Sequence, residues 1–350
     1  MAKPLRSADA LIAAGLVAAE RRQEIAAVAS RYAVAVTDGV ANLIDRRDPA
    51  DPVGRQYLPS REELQITSEE RDDPIGDQRF SPVKGIVHRY PDRVLLMPHH
   101  ACAVYCRFCF RREVVGPGSG ALSPAELTAA IDYVRDNPGI WEVILSGGDP
   151  LLLAPRQLRS LLQTLDRIPH LGVVRIHTRL PMVDPARMTP ALVAALATRK
   201  ALWLAVHANH AREFGPEQKA ALARLARAGI PLLGQSVLLR GVNDDAAALE
   251  ALFRTMVANR VKPYYLHHPD LARGTGHFRL GIEEGQMLVD QLRGHVSGLC
   301  QPTYMLDLPG GYGKVPLTPG HAVPDPAGGA WRIRDAAGMT HRYPPPAEAD

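Results

Sequence analysis

Three cysteines fall within eight residues, Cys102, Cys106 and Cys109, in the stretch HHACAVYCRFCFRR from His99 to Arg112. Their spacing is C-x3-C-x2-C. Thiolates are soft ligands and the usual protein donors to iron–sulfur clusters. A [4Fe–4S] cluster commonly takes four Cys. Three would leave one iron open to a ligand that is not protein. Tyr105 and Phe108 are placed to shield such a cluster from water. Zinc is the competing reading, with His99 or His100 as the fourth ligand, although structural zinc sites often use two C-x2-C pairs.

Two glycine-bearing stretches could also do chemistry. In Ser146-Gly147-Gly148-Asp149-Pro150, glycine lets a ligand approach the main-chain N–H and C=O. Taken alone it is an ordinary βα turn. Residues 307–316, DLPGGYGKVP, present a single lysine, Lys314. An amine partly removed from water becomes a nucleophile towards an aldehyde and suits a Schiff base. In isolation a solvated loop lysine is the plainer reading. The spacing does not fit a Walker A phosphate loop.

Elements must bring these stretches together. Apolar, β-branched runs recur at 94–97, 143–145, 173–176, 202–206, 232–239 and 263–267. Helical patterns lie between them, one opening at Ser123 with its apolar face on Leu127, Ile131 and Val134, and others near 155–166, 189–198, 216–228, 244–258 and 282–297. Ser123, Pro124 and Glu126 predict a capping box at the start of the first. Strand–helix alternation implies a parallel sheet, and six units predict an α/β fold built as a partial (β/α)6 barrel. A doubly wound sheet is the alternative. In either, ligands gather at the carboxyl ends of strands. Residues 8–30 read as one or two helices and residues 45–86 as Pro- and Asp-rich turns. The predicted organisation is a helical or irregular lead-in over 1–85, a barrel over 86–300, and a lysine-bearing segment with a loosely ordered tail over 301–350.

Composition narrows the class. A net charge of +4, with no basic run, does not mark a nucleic-acid binder. Four cysteines do not make a disulfide framework, and an exposed cluster needs a reducing compartment. With no secretory pattern and no apolar stretch of membrane-spanning length, the expected location is the cytoplasm, with no membrane partner.

Taken together, HRYPDRVLL at 88–96, the cysteine stretch, SGGDPL, GQSVLLRGVND at 234–244, KPYYLHHPDLARGTGHFR at 262–279 and DLPGGYGKVP resemble the lysine 2,3-aminomutase family. The resemblance runs from about residue 50 to 320. These are radical S-adenosylmethionine (SAM) enzymes that also use pyridoxal 5′-phosphate (PLP). The resemblance implies that Cys102, Cys106 and Cys109 ligate a [4Fe–4S] cluster whose open iron chelates SAM, the source of a 5′-deoxyadenosyl radical. It implies that Lys314 is the catalytic residue carrying PLP, that Arg89 and Arg93 bind its phosphate and that Tyr90 lies against it. Ser146, Gly147, Gly148, Asp149, His207 and Gln235 would line the SAM side. Arg111 would hold the substrate α-carboxylate, while Asp270 and Asp307 would hold a distal ammonium.

The implied reaction interconverts L-lysine and β-lysine, with a small amino acid and a reducing electron donor as partners and a homo-oligomer as the family habit. Alternatives are a sibling enzyme serving β-lysylation of elongation factor P, or another amino acid with a distal cation, such as arginine. Three positions depart from the family pattern: Tyr312 in the glycine run, Phe110 after the last cysteine, and His268-Pro269 before Asp270. They are expected to alter the substrate end of the pocket.

Overall fold

The β-branched runs form strands and the amphipathic runs between them form helices. In the computed structural model of the protein, residues 3–116, 120–318, 320–326, 328, 331–335 and 338–343 are described. Strands β1 (Ile86–Tyr90) and β2 (Arg93–Leu96) make an antiparallel hairpin. From β2 the pairing is parallel through β3 (Glu142–Leu145), β4 (Val173–Thr178), β5 (Ala201–His207), β6 (Leu232–Val237), β7 (Val261–His267) and β8 (Thr303–Leu308). Strand β9 (Gly313–Pro316) returns antiparallel to β8. Strand order in the sheet equals order in the chain, as a repeated βα unit wound in one sense produces.

The six expected strand–helix units are present, and β8 extends the parallel sheet. The sheet curls into a nearly closed barrel. Tyr90 spans the gap between its edges: the Lys314 N–H on β9 donates to the Tyr90 hydroxyl on β1 at 2.8 Å. Gly313 makes that approach possible, since it sits at φ +95° and a Cβ there would lie 3.2 Å from the hydroxyl.

Helices pack through the stripes their spacing predicts. Leu158, Leu161, Leu162 and Leu165 of the helix Pro155–Leu165 are all buried, each worth about 1.5–3 kcal/mol of apolar transfer. Ser123 and Glu126 form the expected capping box on the helix Pro124–Asp136. The helix expected to reach 297 stops at Leu292, just before Gly294 at φ +78°. No helix among the described residues is long and apolar enough to cross a membrane.

The tail corrects an expectation. Among the described residues beyond 320, where a loosely ordered tail was expected, β10 (Ala322–Pro324), β11 (Trp331–Arg334) and β12 (Thr340–Tyr343) pair antiparallel. Turn bonds from Gly328 N–H to the Asp325 carbonyl (2.9 Å) and from Gly338 N–H to the Asp335 carbonyl (3.1 Å) support the two hairpins. Many side chains here are exposed, and the one alternating stretch, Trp331 to Arg334, is too short to announce a sheet. Residues 344–350 of the expected tail and residues 1–2 of the lead-in lie outside the described residues.

Candidate active site

The strands' carboxyl ends open into a cavity of about 490 Å³, a size suited to small ligands. Cys102, Cys106, Cys109, Ser146, Gly148 and Asp149 line it from the loops after β2 and β3. His207 and Gln235 reach it from β5 and β6, and Asp270 from beyond β7. Arg89, Tyr90, Arg93, Arg111, Asp307 and Lys314 complete the predicted set. Gly147 is the exception: at φ +93°, a Cβ there would lie 2.8 Å from the His99 carbonyl and 2.9 Å from the Met97 side chain.

The glycines therefore do something the sequence did not reveal. They let the SGGDP turn lie against the backbone that leads into Cys102. Gly148 N–H donates to the His99 carbonyl and Asp149 N–H to the Ala101 carbonyl, both at 2.9 Å. A Cβ on Gly148 would meet the Ala101 carbonyl at 2.1 Å. Gly148→Ala is thus expected to push the cysteine loop out of place. Purified variant protein should lose most of its iron and sulfide by direct analysis.

The lead-in grips the same loop from the other side. Arg107 N–H donates to the Gln56 carbonyl at 2.8 Å, and Tyr105 N–H to the Ala35 carbonyl at 3.2 Å. Glu63 is fully buried and accepts from both Arg107 and Arg112. Two guanidiniums on one carboxylate would be costly to bury without further partners. The Ala33 carbonyl (2.8 Å) and the Gly274 carbonyl (3.0 Å) supply them.

Burial pushes the Cys102 thiol well above its ordinary range and the Cys109 thiol up to about 11. Thiols held protonated in this way need a bound cation to become ligands. Among the described residues, no three His, Cys, Asp or Glu side chains are grouped to hold a single ion. Arg179 Nη1 donates to Cys106 Sγ at 3.0 Å, and its Nη2 donates to both Gln56 and Glu213 at 2.6 and 2.8 Å. Asp149 spends its oxygens inside the protein, on the Thr178 hydroxyl (2.8 Å) and the Arg179 and Leu151 N–H groups (2.8 and 3.1 Å). His207 bonds Asn209 at 3.1 Å, and burial holds its imidazole well below the usual pKa, so it is neutral.

Opposite charges divide the remaining wall. Arg111 pairs with Asp77 at 2.6 Å and lies 3.5 Å from the Ser146 hydroxyl. Arg89 pairs with the other oxygen of Asp77 at 2.8 Å and donates to the Ile75 carbonyl at 2.7 Å. Arg93 pairs with Asp92 at 2.7 Å and stacks 3.8 Å from the Tyr90 ring centre. Lys314 and Asp307 are direct cross-strand partners on β9 and β8, and the Lys314 ammonium rests on the Asp307 carboxylate. For Asp307, burial would raise the pKa, but His267 and Lys314 prevail and hold it well below the usual carboxylate range. Asp270 has no such cation in contact. Burial first, then the Asp307 charge, raises it to about 7.

Sequence reasoning missed Asp77 and Arg175 and left His177, Arg179 and His267 at the rim without a role; all five line the cavity. His177, His267 and Arg179 sit at strand ends, which was the available signal; Asp77 lay in a stretch read only as turns. Of the three departures from the family pattern, Phe110 alone reaches the cavity, with the Arg111 guanidinium 4.4 Å from its ring centre. Tyr312 is 76% exposed, and His268 turns inward to bond the Tyr304 hydroxyl at 2.7 Å.

Residues 96–252 match the sequence model of the radical SAM superfamily, and residues 289–349 that of lysine-2,3-aminomutase. The chain is 41% identical over 304 residues to L-lysine 2,3-aminomutase of Clostridium subterminale, covering 87% of this chain and 73% of that one. It is 43% identical over 290 residues to the L-lysine 2,3-aminomutase of Acetoanaerobium sticklandii, covering 83% and 70%. A glutamate 2,3-aminomutase of Clostridioides difficile is 36% identical over 304 residues, covering 87% and 72%.

Proposed function

Since the chain belongs to the lysine 2,3-aminomutase family of radical SAM enzymes, and is therefore an aminomutase of the isomerase class, we propose that it converts L-lysine to β-lysine with the help of PLP. The amino group moves from C2 to C3 and one hydrogen moves from C3 to C2, so the reaction is a balanced isomerisation. The observation that carries the substrate is the charge pattern of the cavity. A guanidinium, Arg111, stands on one part of its wall; two carboxylates, Asp270 and Asp307, stand on another. A primary ammonium already rests on Asp307, that of Lys314. L-Glutamate would bring its side-chain carboxylate against these two aspartates and be repelled.

The family implies a [4Fe–4S] cluster and SAM, and the half-buried thiols of Cys102 and Cys109 fit a cation-bearing group. PLP would fit where Arg89, Arg93, Tyr90 and Lys314 line the cavity, with Tyr90 touching both Arg93 and the backbone of Lys314. When bound, these groups supply a carbon radical that can take a hydrogen atom from C3 and a conjugated ring that can delocalise the unpaired electron. The chain's own residues do the rest. Lys314 offers the amine that PLP would bond. Arg89 and Arg93 offer guanidiniums to its phosphate. Arg111 orients the carboxylate of the amino acid and Asp307 the distal ammonium, which fixes C2 and C3 relative to both cofactors. The barrel wall excludes water from the radical chemistry.

Asp270 gives this reading a pH signature. Its carboxyl titrates near 7, and only the ionised form pairs with an ammonium. For L-lysine, kcat/KM is expected to rise as pH increases through about 7. Stability should run the other way. A carboxyl whose pKa is raised on folding stabilises the fold fully below its unfolded value of about 4, and that contribution is lost as pH rises through the folded value. Asp270→Asn should therefore gain in melting temperature relative to the parent between pH 6 and pH 8. A constant difference across that range would contradict the assignment. Substrate choice is tested with the reconstituted enzyme under anaerobic conditions, offering L-lysine, L-arginine and L-glutamate separately. Turnover of L-lysine alone supports the reading; turnover of L-glutamate overturns it.

A further inference from the structure

Two arginines of the cavity share one acid that comes from outside the barrel. Asp77 lies in the lead-in, yet its Oδ1 takes the Arg89 guanidinium at 2.8 Å and its Oδ2 takes Arg111 at 2.6 Å. The three side chains are nearly enclosed, with 15%, 9% and 11% exposure respectively. The acid is itself held rigidly. Its N–H and that of Gln78 each donate at 2.9 Å to the two oxygens of Asp73. The preceding Gly76, at φ +69°, lies against the loop before Lys314: a Cβ there would be 2.7 Å from the Gly310 carbonyl carbon. On its far side Arg89 comes within 3.9 Å of Asp307. One line of charges thus runs Arg111, Asp77, Arg89, Asp307.

Charge count explains what the shared acid does. Two guanidiniums side by side repel, and one carboxylate between them holds both in place, while Asp307 at the end of the line balances the second. An incoming carboxylate would meet Arg111, whose partner Asp77 is shared with Arg89. Asp77 also meets each arginine through a single nitrogen, so it occupies only part of each donor fork. Resting on the proposed lysine reading, we infer that Asp77 is a positioning residue that aims Arg111 at the substrate α-carboxylate and, through Arg89, ties that group to the ammonium end at Asp307. The lead-in is thereby part of the substrate site.

The test uses the reconstituted holoenzyme and the variants Asp77→Asn, which keeps the shape and loses the charge, and Asp77→Glu, which keeps the charge. Three quantities are measured: KM and kcat for L-lysine, the inhibition constant of pentane-1,5-diamine (L-lysine without its carboxylate), and the iron, sulfide and PLP content. In Asp77→Asn, KM should rise about tenfold to a hundredfold, as for the loss of a hydrogen bond between charged groups. Because this contact serves binding, kcat should stay within about threefold. The diamine should bind as before, cofactor content should be unchanged, and Asp77→Glu should recover most of the loss in KM. An unchanged KM overturns the inference. So does a parallel rise in the diamine constant, or a loss of iron and PLP, since either would mean a merely structural role. A parent enzyme that binds its cofactors but does not turn over L-lysine overturns the lysine reading itself, and the inference with it.

Discussion

Lys314→Ala is expected to reduce β-lysine formation by about a thousandfold or more, the scale on which removal of a covalent-catalysis residue acts. The side chain enters the cavity from β9, where the Tyr90 hydroxyl holds its backbone N–H. Among the described residues no second lysine lines the cavity to replace it. Bound PLP, read by its absorbance after dialysis, should be largely lost, while iron and sulfide stay at the parent level because the cysteine loop is held by other residues. The variant should also disclose the pairing across β8 and β9. With its ammonium partner removed, Asp307 keeps His267 and the more distant Arg89, so its carboxyl pKa should climb back towards the usual range. Retention of a tenth of parental activity would show that the lysine is not the one that carries PLP.

Asp307→Asn is the second large effect. The carboxylate is 7% exposed and stays ionised because cations surround it. Removing one partner of a buried charge pair costs about 2–5 kcal/mol. For L-lysine, kcat/KM should therefore fall by roughly thirtyfold to several thousandfold. Norleucine, the same amino acid without its distal amine, separates this from general damage. Its binding should change little, so preference for L-lysine over norleucine should collapse. If both fall together, the acid is structural. If neither falls, the ammonium sits elsewhere in the cavity. The asparagine also removes the charge that helps to raise Asp270, so the pH dependence near 7 should move downward.

The barrel was legible because its strands are short β-branched runs and its helices carry apolar stripes. Leu158, Leu161, Leu162 and Leu165 need only periodicity to be placed. Strand β8 was harder, since TYMLDL mixes a core strand with a site residue and was taken for part of the lysine segment. The tail strands are short and mostly exposed, and WRIR at 331–334 is too brief an alternation to mark a sheet. The chemistry-bearing residues were readable where a motif held several together, as with the cysteines and Lys314. Long-range pairs were not. Asp77 meets Arg111 across 34 positions, and Glu63 meets Arg107 across 44. Nothing periodic marks such partners, because only the fold makes them neighbours. Gly148 shows a different limit. Its need for a missing Cβ was read correctly, but what occupies that space is the neighbouring loop rather than a ligand.

The most direct test of the central claim is to reconstitute the protein anaerobically with iron, sulfide and PLP, add SAM, a reductant and L-lysine, and look for β-lysine by mass spectrometry. The account predicts β-lysine from the parent protein and none from Cys106→Ala or Lys314→Ala. A cofactor-loaded parent that cleaves SAM and leaves L-lysine unchanged would contradict it.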